Sequence, residues 1–548
     1  MKEAQNHTKK VFFSGVLLLS LSTVLVKIIG LIYKIPMLSY LGSEGMGYFN
    51  SAYEIYALFC IIATAGLPVA LSVLISSALA KGERDSCTRI WRSSLLVFLL
   101  IGTLGSGVMF LFAGQFCAWI KSESAYLCIL SISPTVFFIC VSSAVRGFFQ
   151  GHQKMLPTAI SQIIEAVGKL VFGLLLAHIA LERGESTEGI AAAAGWGLTI
   201  STALSTAYLL VEKWRWNAKE ELSETGEQGK GETRSYKHTW RSLGRLAIPM
   251  TLGASLVSFT KLADMTMILR RLQSIGYSEV GANEAYGSYT TLALSVFTLL
   301  PTLLNSIALP LVPLLSAAIA SGDREKEGQM IETSYRLTAF FAIPASLGIS
   351  AFARPVLRLL FANEPEAVEM AAPLLSLLGA SVFLSCMITA TNSVLHAYKE
   401  VNRPIISMLI GAGVKIVSAY FLIGNPSVAL LGAPISTFLC NAVVVLLNLY
   451  FASSLGTEVR VGGLFLRPLL ISGAGIGISF GVYTWLERSF GESTIHTLSC
   501  ILLAALLYCL LGLLFGAFKR EDIAALPGGG KLCAVLEKCR LIQRAKKP

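Results

Sequence analysis

Two lysines lie within the first long apolar stretch of the chain, where a positive charge is costly. Lys27 and Lys34 stand between Val11 and Met37, in a segment that is otherwise mostly apolar. A lysine near the centre of a bilayer costs about 2.5 to 3.5 kcal/mol on insertion scales, so such residues usually face a water-filled cavity or a partner. A spacing of seven residues is about two helical turns and puts both ammonium groups on nearly one face. This pattern predicts a cationic face that meets an anion.

Further charged residues in apolar stretches complete the set of candidates. Glu54 is the expected counter-charge of Lys34, which would leave Lys27 for a ligand. Lys261 and Asp264 are three residues apart, so they could either neutralise each other or line a cavity. We assign to the substrate cavity the residues Lys27, Lys34, Glu54, Lys261, Asp264 and Arg270.

A second group of charged residues has a weaker claim to the cavity. Glu165 and Lys169 are four residues apart, a spacing that favours an internal ion pair over a substrate role. Lys169 and Lys415 could also extend toward the membrane interface. Arg146, Arg270 and the adjacent Arg271 lie near the ends of apolar stretches, where a topological or interfacial role is favoured over ligand contact. The secondary candidates are therefore Glu165, Lys169, Lys415 and Arg146.

The composition predicts an all-α polytopic membrane protein. Of the 548 residues 54% are hydrophobic and 14% are charged, against roughly 25% charged residues in soluble proteins. About fourteen stretches are long enough to span a bilayer. They cover residues 11–36, 52–79, 93–115, 125–148, 158–181, 190–211, 246–269, 287–319, 335–361, 370–396, 404–424, 428–453, 466–486 and 494–518.

The arrangement of these stretches predicts two lobes of six helices and two additional helices. The long polar segment 212–245 reads as a cytoplasmic linker. The segments are an N-lobe at 1–211, the linker at 212–245, a C-lobe at 246–453, two helices at 454–518 and a basic cytoplasmic tail at 519–548. An offset of 246 residues aligns Phe149–His152 with Leu395–Tyr398 and Lys169 with Lys415. Parallel repeats of this kind would place a shared site near the middle of the membrane.

The distribution of charge predicts topology and excludes several functions. Most of the 44 lysines and arginines fall in the termini and alternate loops, so both termini are expected in the cytoplasm. This dispersed charge also explains the net charge of +11 without a nucleic-acid partner. The eleven cysteines are scattered and the six histidines are dispersed, with no Walker A, H-E-x-x-H or dinucleotide motif. We therefore expect no metal, no cofactor and no enzymatic activity.

Several segments resemble the polysaccharide-export branch of the multidrug/oligosaccharidyl-lipid/polysaccharide exporter superfamily. They are KIIGLIYKIP at 27–36, LGSEGMGY at 41–48, RGFFQG at 146–151, and Asp264 with Arg270 and Arg271. The chain is particularly similar to the stage V sporulation protein B group and more distantly to the lipid II flippases. Lys27 and Gly30 match the first arginine and the glycine of the Arg-x-x-Gly motif in the lipid II flippases. Tyr33 and Lys34 stand where that motif has an Arg-Asp pair.

This resemblance implies a flippase with two lobes in a V shape, located in the bacterial plasma membrane. Such a protein moves an undecaprenyl-diphosphate-linked oligosaccharide by alternating access, with cavity cations meeting the diphosphate. The expected partners are the polyprenyl-linked glycan, membrane lipids and a coupling ion of unspecified identity; the membrane potential could replace the ion.

Two other classes of function remain alternatives to the flippase. A drug or cation antiporter of the same superfamily would need an unpaired acid deep in the first lobe. A structural scaffold would keep its function when the membrane lysines are neutralised.

Overall fold

Every regular element in the described part of the protein is helical, which confirms the all-α membrane fold. The computed structural model describes residues 2–81, 84–223, 236–308, 324–400, 402–455 and 461–515, with positions 315 and 319. The chain divides into two compact units, Met1–Thr291 and Leu292–Pro548. The first contains α1 (Lys2–Thr64), α2 (Leu67–Ala80), α3 (Arg84–Leu111), α4 (Ala113–Ile120), α5 (Tyr126–Gly151), α6 (Leu156–Glu182), α7 (Thr187–Ser223), α8 (Tyr236–Ser274) and α9 (Glu279–Ser288).

The second unit continues the helical pattern after a π-helical turn at Tyr289–Ala293. Its helices are α10 (Leu294–Ala308), α11 (Arg324–Ala351), α12 (Ala353–Leu360), α13 (Pro365–Ala397), α14 (Asn402–Ile423), α15 (Gly432–Ser453), α16 (Val461–Phe490) and α17 (Thr494–Leu514). A short 3-10 turn precedes α15 at Ala429–Leu431.

The helices identify a multi-pass membrane protein, although the predicted count of fourteen spans is not confirmed. By length and composition, 11 helical stretches of the described residues could cross a membrane, or 12 if a bent pair counts as one. That pair, Glu327–Ala351 and Ala353–Leu360, is bent by 79°. The stretch Leu21–Ala80 counts once although it covers the first two predicted spans, and the predicted span 287–319 lies partly outside the described residues.

Gly42 divides α1 into two segments. Its φ of 65° and ψ of 177° are non-helical, and glycine adopts a positive φ without the penalty that a Cβ atom would cause. The N-terminal segment carries Lys27 and Lys34, and the C-terminal segment carries Glu54. The two lysines and their expected counter-charge Glu54 therefore belong to separately oriented parts of one helix.

One hydrophobic core cluster of the first unit lies where α2 and α5 meet. Phe148 and Phe149 of the RGFFQG segment are buried there. A Cβ atom at Gly147 would crowd the backbone of Pro68, and one at Gly151 would crowd Ile75. The two glycines thus allow the close helix contact that small residues provide in membrane proteins.

The repeat predicted at an offset of 246 residues is present in the backbone. Helix α5 ends at Gly151 and α13 ends at Ala397, while α6 begins at Leu156 and α14 begins at Asn402. Both differences equal 246. An earlier pair of helices repeats at an offset of 240, since α3 and α11 each have 28 residues and α4 and α12 each have 8.

The connection between the paired helices has the same conformation in both repeats. Gln153 and Lys399, again 246 residues apart, have φ values of 58° and 64°. The amide of Lys154 donates to the Phe149 carbonyl at 2.8 Å, and the amide of Glu400 donates to the Leu395 carbonyl at 3.0 Å. Each helix therefore ends in a left-handed residue with a hydrogen bond spanning five residues, as in a Schellman cap.

The segment predicted as a linker is helical at both ends. Helix α7 extends to Ser223 and α8 begins at Tyr236; residues 224–235 lie outside the described residues, as does the predicted tail 519–548. The first compact unit ends at Thr291, whereas the lobe boundaries at 211 and 246 stay a prediction.

Candidate anion-binding site

Charged residues from three helices of the first unit form one electrostatic cluster. Lys34 of α1 interacts electrostatically with Lys27 of the same helix, Lys169 of α6, Lys261 of α8 and the acid Glu54. Lys27 also interacts directly with Lys261. The side chains of Lys27 and Lys261 are exposed and those of Lys34 and Lys169 are half-buried. We name Lys27, Lys34, Lys169 and Lys261 the lysine cluster.

Lys34 is held by a backbone carbonyl of the π-helical turn. Its Nζ atom donates to the Thr290 carbonyl oxygen at 3.3 Å. This distance lies at the long end for an N–H···O bond, which is commonly 2.7 to 3.2 Å. The carbonyl is a neutral acceptor, so the contact brings no counter-charge to Lys34.

Lys169 lies among aromatic rings. Its Nζ atom is 4.8 Å from the ring centroid of Tyr33, 5.5 Å from that of Phe49 and 4.9 Å from that of Tyr53. The negative faces of aromatic rings attract a cation at such distances, by about 0.5 to 2 kcal/mol each depending on desolvation. The rings therefore let Lys169 remain a cation away from bulk water.

Glu165 forms an ion pair with an arginine from another helix, and it also interacts electrostatically with Lys169, as their spacing predicts. Arg146 Nη2 lies 2.9 Å from Glu165 Oε2, and the two side chains are 11% and 23% exposed. Arg146 Nε also donates to Ser161 Oγ at 2.9 Å, and Arg146 Nη2 contacts Ser205 Oγ at 3.4 Å. Arg146 thereby joins α5, α6 and α7, and the interfacial role favoured for it stays a prediction.

The remaining predicted residues are distributed between the cluster and other places. Glu54 and Asp264 both interact electrostatically with the buried Tyr286 of α9, so both acids lie near the same part of the unit. Arg270 is exposed toward the C-terminal end of α8, and Lys415 is half-buried in α14 of the other unit. Their assignment as site residues stays a prediction.

Sequence reasoning missed the neutral residues that support the cluster. Asn50 donates from Nδ2 to Thr290 Oγ1 at 2.8 Å and to Thr291 Oγ1 at 2.9 Å. Tyr33 and Tyr53 surround Lys169. The available signal was the occurrence of Asn50 within four residues of Glu54 in an otherwise apolar stretch. The aromatic residues gave none, because their spacing is also that of an ordinary buried helix face.

Comparisons with known proteins agree with this architecture. The family model described as polysaccharide biosynthesis protein matches residues 12–319, which is more than half of the chain. A second model, MatE, matches residues 249–421.

Two relatives from Bacillus subtilis strain 168 and one solved structure extend the comparison. Stage V sporulation protein B is 26% identical over 542 residues, covering 96% of this chain and 99% of that protein. Lipid II flippase MurJ is 25% identical over 415 residues, covering 74% and 76%. The structure of lipid II flippase MurJ in an inward closed conformation superposes with a TM-score of 0.68 at 16% identity, covering 91% and 98%. The chain belongs to the polysaccharide biosynthesis protein family, within the multidrug/oligosaccharidyl-lipid/polysaccharide exporter superfamily.

Proposed function

We propose that this protein is a flippase that moves an undecaprenyl-diphosphate-linked oligosaccharide across the bacterial plasma membrane by alternating access. The observation that carries the proposal is the lysine cluster, in which Lys34 interacts electrostatically with Lys27, Lys169 and Lys261. The four lysines outnumber the acid Glu54 that interacts with them, so like charges in one part of a membrane protein repel each other. They are stable together when an anion of high charge density binds among them.

The diphosphate of a polyprenyl carrier has the required chemistry. Two unit charges 4 Å apart attract by about 4 kcal/mol near a protein surface, against about 1 kcal/mol in water. A lysine ammonium binds phosphate as a point charge and requires no fixed orientation. A cluster of such groups therefore holds the diphosphate while the attached sugar and lipid vary in shape.

The names of the relatives support a cell-wall precursor as the glycan. One relative is a lipid II flippase and another is a stage V sporulation protein. We propose a lipid II-like peptidoglycan precursor of the vegetative or spore wall as the substrate. The alignment with the sporulation protein covers 96% of this chain and 99% of that protein, which supports a precursor of the spore wall.

The test is transport by the purified protein in liposomes that contain an undecaprenyl-diphosphate-linked precursor. Neutralising Lys27 removes an exposed charge of the cluster, so Lys27→Gln should slow the appearance of precursor in the opposite leaflet by about tenfold. Lys121→Gln is the control, since Lys121 is exposed between α4 and α5 and should flip normally. A normal rate of precursor transport by Lys27→Gln would refute the proposal.

A cation antiporter is the second candidate, and the MatE match over residues 249–421 favours it. Such a protein would use Glu54 or Asp264 to exchange protons or sodium with a cationic substrate. In the same liposomes it would move a cationic dye against a proton gradient, and Glu54→Gln would stop this movement while Lys27→Gln would not. Dye transport without precursor transport would select the antiporter.

We also propose the orientation and the lobes that the sequence indicates. Both termini lie in the cytoplasm, with an N-lobe at 1–211, a C-lobe at 246–453 and two further helices at 454–518. Protease sites introduced at the two termini should be cut only in permeabilised cells.

A further inference from the structure

A π-helical turn lies directly beside the lysine cluster. It covers Tyr289–Ala293, and the Thr290 carbonyl within it accepts the Lys34 hydrogen bond. Single π-helical turns are rare and often occur at functional sites. A turn of this kind keeps its conformation when neighbouring side chains hold it.

Asn50 holds this turn through both hydrogens of one amide. Its Nδ2 atom donates to the hydroxyls of Thr290 at 2.8 Å and Thr291 at 2.9 Å. Asn50 is 7% exposed and Thr291 is fully buried. A side-chain amide has two donors on one nitrogen, so asparagine can serve two consecutive hydroxyl acceptors at once.

The helix that carries Asn50 is fixed against the helix that precedes the turn. A Cβ atom at Gly47 would overlap the Asn283 carbonyl, and one at Gly287 would overlap the Ser43 carbonyl. The C-terminal segment of α1 and α9 therefore meet backbone to backbone. This contact fixes the position of Asn50 relative to the π-helical turn that follows α9.

The bond from Lys34 to the turn is suited to exchange. It is long, at 3.3 Å, and its acceptor is a neutral carbonyl. A hydrogen bond between two charged groups is shorter and roughly twice as strong as a neutral one. A phosphate oxygen can therefore replace the Thr290 carbonyl as the acceptor of the Lys34 ammonium. This exchange requires that the carbonyl holds the ammonium near the bound phosphate.

We propose that Asn50 is a positioning residue for the substrate anion: it fixes the π-helical turn whose Thr290 carbonyl presents Lys34 to the diphosphate. This inference rests on the proposed function for the identity of the ligand. Asn50 touches no ligand itself and acts through Lys34. Its removal lets the turn change shape and displaces the carbonyl that presents Lys34.

The first experiment is a double-mutant cycle with undecaprenyl diphosphate as the probe, measured as equilibrium binding to the protein in nanodiscs. Asn50→Leu and Lys34→Gln should each weaken binding about tenfold. The double variant should bind no more weakly than Lys34→Gln alone, because Asn50 acts only through Lys34. Losses that multiply in the double variant would overturn the inference.

Thr266→Val is the matched control for the loss of a hydrogen bond. Thr266 is buried in α8, and its hydroxyl donates to the Leu262 carbonyl of its own helix. This variant should bind the probe as the unchanged protein does. If Asn50→Leu does not fold, Thr291→Val removes one of the two acceptors, and it should give about a threefold loss that also disappears in the Lys34→Gln background.

Amide hydrogen exchange separates failure of this inference from failure of the proposed function. Asn50→Leu should speed exchange in the segment 289–297 without any ligand, and Thr266→Val should not. Unchanged exchange in Asn50→Leu would overturn the anchoring role whatever the ligand. Faster exchange together with normal probe binding by Lys34→Gln would instead refute the diphosphate site and the positioning role, leaving only the anchored turn.

Discussion

The two repeats build the same backbone turn but place different side chains beside it. In the first, Arg146 pairs with Glu165 at 2.9 Å. At an offset of 246 residues the second has Asn392 and Gly411. There Asn448 donates from Nδ2 to Asn392 Oδ1 at 2.8 Å. A charged pair in one repeat is thus replaced by neutral amides in the other.

This difference teaches that the turn does not need charge. A buried ion pair is often no more stabilising than neutral residues of similar size, because desolvation offsets the attraction. The neutral arrangement around Asn392 and Asn448 holds the corresponding backbone. The charged pair of the first repeat joins Arg146 of α5 to Glu165 of α6, the helix that carries Lys169 of the lysine cluster.

The largest expected effect comes from breaking the charged pair on one side. Glu165→Leu leaves Arg146, whose side chain is 11% exposed, without its carboxylate. The free energy of unfolding should fall by about 3 kcal/mol. Thermal or denaturant unfolding in detergent would measure the loss.

The double variant Arg146→Met with Glu165→Leu should recover most of that stability, because no buried charge is left alone. The matched change in the second repeat is Asn392→Leu, which should cost only about 1 to 2 kcal/mol since it breaks neutral hydrogen bonds. Equal losses for Glu165→Leu and Asn392→Leu would contradict the distinction between the repeats.

A smaller effect should distinguish the two lysines at corresponding positions. Lys169→Met keeps the contact with Tyr33 and Tyr53 but removes one charge of the lysine cluster. It should weaken binding of undecaprenyl diphosphate about tenfold, equal to about 1.4 kcal/mol. Lys415→Met should weaken it less than about twofold, because Lys415 is not a member of the lysine cluster. Equal effects in a binding assay would show that the repeats contribute alike.

The smallest effect concerns the left-handed residue that ends the corresponding helix in both repeats. Gln153 and Lys399 adopt positive φ values of 58° and 64°, a conformation that glycine reaches at lower cost. Gln153→Gly and Lys399→Gly should each raise the free energy of unfolding by about 0.5 kcal/mol. Unfolding curves of the two variants would measure this. Opposite signs would show that the two turns are not equivalent.

Much of the fold could be read from the sequence because the bilayer constrains it strongly. Apolar stretches of about 20 residues give the helices, and the offset of 246 residues gives the repeated turn. The predicted junction of the first two spans was less accurate. Helix α1 runs from Lys2 to Thr64, and it breaks at Gly42, whose positive φ of 65° costs a glycine little.

The candidate site was only partly predictable. Lys27 and Lys34 stood out because a charge in hydrocarbon is costly. Glu165 interacts with Lys169, as a spacing of four residues allows, but its ion pair with Arg146 was not predicted. Asn50 gave no strong signal, because its acceptors at Thr290 and Thr291 are some 240 residues away in the chain.

The sequence by itself determined which residues carry charge into the membrane and which stretches must be helical. Both follow from the local cost of exposing polar groups to hydrocarbon, which depends on residue type and spacing. Only the tertiary structure decided which partner each charge has: Arg146 for Glu165, aromatic rings for Lys169 and the Thr290 carbonyl for Lys34. Such pairings join residues on different helices, so they depend on how the helices pack.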